Sequence, residues 1–197
     1  MLKYDLPLME RGFALMLEGL GLDAASDPHL RDTPRRVAKA FAEDLCAGLF
    51  QAPPRIAEFT ESYVPGMIVV SNITVTSLCA HHFLPFIGTA VVGYVPSHPR
   101  VLGLSKVARI VEYWSRRPQV QERLTSQIAD HIADLVIDKT DPGNGGVGVV
   151  IRASHACTAL RGVKHPAVMT TSELRGLFKI DPMARTEFLE LARNSHS

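Results

Sequence analysis

Apolar side chains recur along this chain in two rhythms, and the change from one to the other divides it. From Leu6 to Leu22 they fall at Leu8, Phe13, Leu15, Met16, Leu20 and Leu22, a loose helical spacing interrupted by Gly12 and ended near Gly19 and Gly21. A second helix is expected from Asp32 or Thr33 as cap and Pro34 at the first position. Its apolar face is Val37, Ala38, Phe41, Ala42 and Leu45, and Gly48 stops it. Pro53 and Pro54 then change the regime. Met67 to Leu78 and Phe86 to Val95 are rich in Ile, Val and Thr with partial alternation, which predicts two strands.

After a turn at Pro96 to Pro99 the helical rhythm returns. Val101 to Leu104 reads as a strand end, Ser105 as a possible N-cap, and Val107, Ile110, Val111 and Trp114 as a helix. Pro118 is expected to open a longer helix with Val120, Leu124, Ile128, Ile132, Leu135 and Val136 on one side. The cluster from Asp141 to Gly146 predicts a turn, Val147 to Ala153 a strand, and Ala167 to Phe178 another with Thr170, Thr171 and Ser172 as its polar middle. Asp181 and Pro182 cap a terminal helix with Phe188, Leu189 and Leu191 as its apolar positions. Strands in two groups with long helices between them predict an α+β fold: a helical segment over 1–50 and one main domain over 51–197.

Composition narrows the function classes. The 197 residues carry 21 Lys and Arg against 20 Asp and Glu, a formal charge of +1, which offers no general footprint for duplex nucleic acid or an anionic membrane. No apolar run approaches the ~20 residues of a bilayer span. The start of the chain lacks the pattern of a signal peptide, so a cytoplasmic protein is expected. Three cysteines, two of them beside histidines, fit metal binding in a reducing compartment better than a disulfide framework.

Candidate chemistry gathers at two distant clusters, Cys79-Ala80-His81-His82 and His155-Ala156-Cys157. Cys79 and His82 form a C-x-x-H pair that one tight turn can present to a single ion. His155 and Cys157, alternating on a strand, would share a face. Cys46 sits in an apolar pattern without a histidine and reads as packing. Spacing alone leaves two sites open: a closed Cys2His2 structural zinc, or a catalytic ion with three protein ligands and spare imidazoles for proton transfer. Ser105 and Lys106 at a helix start could hold an oxyanion, as could Arg161 and Arg36. The basic crowd of Arg35, Arg36 and Lys39 reads either as a solvated face or as an anion site. Gln121 and Glu122 stand in a helix's first turn, where a carboxylate in a pocket could accept two N–H groups from a guanine-type edge.

These motifs together resemble GTP cyclohydrolase I. The match comprises Thr33-Pro34-x-Arg36-Val37-Ala38, Cys79-x-His81-His82, Gly103-Leu104-Ser105-Lys106, Arg109-Ile110-Val111, Arg117 to Thr125, and His155-x-Cys157 with Arg161-Gly162, from about Thr33 to the C-terminus. The resemblance implies Cys79, His82 and Cys157 as Zn²⁺ ligands and His81 and His155 as acid/base imidazoles. It implies Glu122, with Gln121 beside it, on the guanine ring. Lys106, Arg109 and Arg161, joined by Arg36 of a neighbouring subunit, would hold the triphosphate, with Ser105 in the ribose chemistry. It further implies the tunnelling fold, antiparallel strands with packed helices, assembled as a toroidal homodecamer with interfacial active sites. The expected reaction turns GTP into 7,8-dihydroneopterin triphosphate and formate, the first step of tetrahydrofolate and pterin synthesis. One departure stands out: the family usually has Glu where this chain has Ala80. That leaves open a divergent relative acting on another purine nucleotide or stopping at the ring-opened intermediate, and also a non-catalytic zinc-stabilised nucleotide-binding assembly.

Overall fold

The structure is a computed structural model that describes residues 2–56, 58–63, 66–141 and 143–194. The chain forms two compact units, residues 1–52 and 53–197. In the first, α1 (Leu6–Gly19) is capped by Asp5, whose Oδ1 accepts from the Leu8 amide at 2.9 Å. It runs unbroken through Gly12, since a helix tolerates a single interior glycine at a cost of about 1 kcal/mol. The second helix, α2 (Thr33–Lys39), has Pro34 near its start as expected, and the Asp32 side chain pairs with Arg36 at 3.3 Å. It widens into a π-helical turn at Ala40–Leu45, closed by the Cys46 amide on the Phe41 carbonyl at 2.8 Å. Phe13 packs against Phe41, and Cys46 is buried, in keeping with its reading as a packing residue.

The second unit is built on a five-stranded sheet. Its order is β5 (Pro118–Gln119), β2 (Ile68–Cys79), β3 (Pro85–Val95), β6 (Gly146–His155), β7 (Val168–Gly176), antiparallel except for β5 beside β2. A short ribbon pairs β1 (Glu58–Thr60) with β4 (Arg100–Leu102). Period-two alternation divides each strand between two cores. Ala90, Val92 and Tyr94 of β3 and Val147, Val149 and Ile151 of β6 face α3 (Leu104–Ser115) and α4 (Gln121–Val136). From the helices come Val107, Ile110, Val111, Leu124, Ile128 and Ile132, all fully buried, each worth roughly 1.5–3 kcal/mol of transfer energy. On the other face Val91 and Val150 meet Phe178 and Phe188, on α6 (Leu177–Ile180) and α7 (Pro182–Asn194). Gly93 and Gly148 are cross-strand partners beneath the Phe188 ring, and a Cβ on either would overlap it.

Four expectations shift. Ser105 does not cap α3; Gly103 does, and Ser105 sits inside the first turn. Pro118 does not open the long helix, because residues 118–119 join the sheet edge and α4 begins at Gln121. The last strand ends at Gly176, whose φ of +55° turns the chain into α6. On α7 Asp181 caps as expected, its Oδ1 accepting from the Met183 amide at 2.7 Å, but Phe188 and Ala192 face inward while Leu189 and Leu191 stay exposed. Pro142, within the predicted turn before β6, lies outside the described residues.

Candidate metal centre

β2 and β3 form a hairpin whose connection carries the first cluster. The Phe83 amide donates to the Cys79 carbonyl at 2.8 Å and the Cys79 amide to the Leu84 carbonyl at 2.8 Å, while Phe83 takes a φ of +54°. This helix-like turn brings residues three apart to one side, so Cys79 and His82 point together. The second cluster arrives because β6 is registered on β3 with Phe86 opposite His155. The strand ends at His155, and Cys157 lies in the helical turn α5 (Ala156–Ala159). The expected strand alternation of His155 and Cys157 therefore gives way to a strand-to-helix corner that aims the two side chains differently.

Cys157 turns toward the hairpin. Its sulfur is 3.7 Å from that of Cys79, and donor atoms of Cys79, His82 and Cys157 all lie within 4.8 Å of one another. Two sulfurs each about 2.3 Å from one tetrahedral ion stand about 3.8 Å apart, so this donor set fits a divalent metal. Cys79 is buried, Cys157 half-buried and His82 exposed. Burial first, and then the neighbouring Cys79 sulfur, push the Cys157 thiol up from its ordinary value. A cation between the sulfurs removes that repulsion and favours both thiolates.

His155 stands apart from this trio. Its Nε2 lies 2.8 Å from Gln121 Oε1, and its ring stacks on Phe86 with centroids 4.5 Å apart. Burial lowers its pKa from the ordinary value, against the opposing pull of the Glu122 carboxylate. His81 is exposed, with Nδ1 3.6 Å from the Cys79 sulfur. Arg161 places Nη1 2.6 Å from His82 Nε2; a guanidinium only donates, so that nitrogen accepts.

Glu122 is exposed in the first turn of α4, on the same side as the metal cluster because the preceding Gln119 is registered beside Cys79. Gln121 is buried, and its carboxamide is engaged wholly within the protein. Lys106 and Arg109 lie elsewhere. With Ser105 they occupy the N-terminal half of α3, and Ser105 and Arg109 line a groove of about 610 Å³ along β2 from Val70 to Thr76. Ser105 is ten residues from Ser115 on this helix, about 15 Å at 1.5 Å per residue. Only the Ser115 end adjoins the metal end of β2, where Ser77 donates to the Arg117 carbonyl at 3.2 Å. Arg36 belongs to the first unit, exposed and paired with Asp32. Sequence reasoning missed Phe86, Thr125 and Thr171 as parts of the His155 surroundings. For the two threonines the only signal was a polar residue set among apolar ones, which does not name a partner, and Phe86 read simply as a strand residue.

A family model described as GTP cyclohydrolase I matches residues 9–193. Among curated relatives, the GTP cyclohydrolase 1 of Carboxydothermus hydrogenoformans is 45% identical over 190 residues, covering 95% of this chain and 94% of that protein. That of Dehalococcoides mccartyi is 41% identical over 198 residues, covering 98% and 100%. That of Caldanaerobacter subterraneus subsp. tengcongensis is 46% identical over 178 residues, covering 89% and 90%. With near full-length matches on both sides, and the Cys, His and Cys of two distant segments gathered at one end of the sheet, this chain belongs to the GTP cyclohydrolase I family.

Proposed function

We propose that this chain is a zinc-dependent GTP cyclohydrolase that converts GTP to 7,8-dihydroneopterin triphosphate and formate. The observation that carries the reading is the convergence of Cys79, His82 and Cys157 within 4.8 Å, with a differently aimed His155 and an acidic Glu122 at the same sheet end. A closed structural zinc would need His155 as its fourth ligand, and His155 is not among the donors that lie within 4.8 Å of one another.

Cys79, His82 and Cys157 hold the zinc, which when bound supplies Lewis acidity and a nucleophile at neutral pH. His82 Nε2 accepts from Arg161; if that nitrogen were to hold the metal, the guanidinium would be free for a phosphate. Glu122 accepts the N–H groups of the guanine edge. Water adds at C8 and the imidazole ring opens to a formamide, a second water cleaves the formamide to release formate, and His155 and His81 move the protons in both steps. The ribose, after an Amadori rearrangement that Ser105 assists, recloses onto the pyrimidine amine with loss of water.

Lys106 and Arg109 hold the triphosphate from a second copy, because about 13 Å and about 9 Å of α3, at 1.5 Å per residue, separate them from the Ser115 end that adjoins the metal end of their own β2. Arg36 joins them from a neighbouring subunit. Among the described residues, no strand pairs with the outer edge of β7, or before Leu78 with the edge of β2 that faces away from β3. Two unlike open edges suit head-to-tail addition of copies, the assembly of a closed ring, and support the tunnelling fold and a toroidal decamer. Residues 51–197 form the catalytic domain and 1–50 a helical segment outside the metal chemistry.

Incubating the zinc-loaded protein with GTP tests this. Formate and a pterin that fluoresces after oxidation are expected. A formamide-bearing, ring-opened product would mean that Ala80 arrests the reaction, and no product from metal-loaded protein would remove the reading.

A further inference from the structure

Behind His155, α4, β6 and β7 enclose a set of polar groups that the reaction scheme above leaves unused. Gln121 is 1% exposed. Its Nε2 lies 3.2 Å from the carbonyl of Ile151 on β6, 3.2 Å from that of Met169 on β7, and 3.1 Å from Thr171 Oγ1. Thr125, fully buried one turn along α4, donates its hydroxyl hydrogen to the Gln121 carbonyl at 2.7 Å. Thr125 Oγ1 and Thr171 Oγ1 are 2.7 Å apart.

The donors and acceptors of this set constrain one another. Carbonyl oxygens only accept, so the Gln121 amide nitrogen must face Ile151 and Met169, and Oε1 must face the other way, toward His155 Nε2. The Thr125 hydrogen is committed to the Gln121 carbonyl, so Thr171 donates to Thr125 and offers a lone pair to the Gln121 amide, whose two hydrogens are shared among three acceptors. With only an acceptor opposite it, His155 Nε2 carries a hydrogen, which leaves Nδ1 as the nitrogen that gives and takes a proton. Phe86, stacked within 12° of parallel, fixes the ring plane.

We propose that Thr171 and Thr125 are positioning residues of the reaction, acting through Gln121 to set the tautomer and orientation of His155. The inference rests on the acid/base role given to His155 above. The Ile151 and Met169 carbonyls give the carboxamide its general direction, and Thr171, held by Thr125, closes the third side of the amide so that Oε1 stays on His155 Nε2 before any substrate arrives. A network present only to satisfy buried atoms would contribute stability and leave the imidazole's proton indifferent.

The test uses full-length, zinc-loaded protein labelled with ¹⁵N-histidine, the His155 signals being assigned by their loss in His155→Asn. The wild type is expected to show protonated Nε2 and unprotonated Nδ1. Thr171→Val should mix the tautomers and lower kcat on the order of tenfold, with KM for GTP within about twofold and zinc content unchanged; Thr171→Ser should restore both spectrum and rate. A wild-type ring protonated on Nδ1 overturns the proposal, and this result stands even if the Val variant fails to fold. A folded, zinc-loaded Thr171→Val with wild-type spectrum and kcat overturns it equally, as does a change in KM alone. Wild-type protein that makes no product from GTP removes the proposed function, while the tautomer remains readable in the same sample.

Discussion

The two ends of β2 are made in different ways. At Cys79 the strand enters a tight hairpin, pairs with β5, and meets the corner after β6, so a metal-binding trio and an oriented imidazole are complete within one chain. At the other end, from Val70 to Thr76, the strand has an open edge and a groove into which α3 brings Ser105 and Arg109, both exposed. Donor atoms of a metal site must be held to within a few tenths of an ångström, which backbone registration provides. A triphosphate is long, charged and solvated, and long exposed side chains on an adjoining copy can hold it. On the proposed function, the difference means that the bond-breaking groups would be preorganised locally, while the groups that hold the substrate would be assembled by association.

The largest effect should come from the metal end. Cys157→Ala leaves two donors and is expected to abolish both zinc retention and product formation, measured by metal analysis and formate release; retained zinc with full activity would break the contrast. Arg109→Ala touches the open end only. It should raise KM for GTP roughly 10- to 100-fold, the worth of one charge-assisted hydrogen bond, without loss of metal. Mixing the two variants at GTP well below the raised KM sharpens the comparison, because a site that borrows its phosphate clamp regains wild-type KM in mixed oligomers. A site closed within one chain does not.

Smaller effects lie away from both ends. Gly148→Ala places a methyl under Phe188 and should cost about 1–3 kcal/mol in denaturant unfolding while leaving zinc content unchanged. Smallest is a pH effect at His131, whose Nδ1 accepts from Trp114 Nε1 at 3.0 Å and whose pKa burial lowers against the opposing Asp134. The folded state therefore resists the proton that the unfolded chain takes up below about pH 6.5. Stability is full above that value and falls as pH drops through it, levelling once the folded form is protonated too. His131→Gln keeps an acceptor for Trp114 and should flatten this part of the melting-temperature profile.

Much of this was legible in the sequence. β2 and β3 were visible because β-branched residues alternate up to a Cys/His turn, and Leu124, Ile128 and Ile132 marked α4 by their spacing of four. The start of α4 was misplaced because Pro118 suits a first helical turn as well as it suits an edge strand, and only pairing with Cys79 decides between them. Local spacing marked Cys79, His82, His155 and Cys157 as candidate donors, and only the family resemblance singled out the trio. The direction of His155 was not legible, since an H-x-C pair looks the same on a straight strand as at a strand-to-helix corner. Thr125 and Thr171 are 46 residues apart and meet only through packing.

The account's central claim is that three side chains grip the ion and the fourth place is left for water. X-ray absorption of the zinc-loaded protein measures this directly. The expected first shell has two sulfurs at about 2.3 Å, one imidazole nitrogen at about 2.0 Å and one oxygen. Two sulfurs with two imidazoles, the second lost in His155→Asn, would show a closed structural site and contradict it.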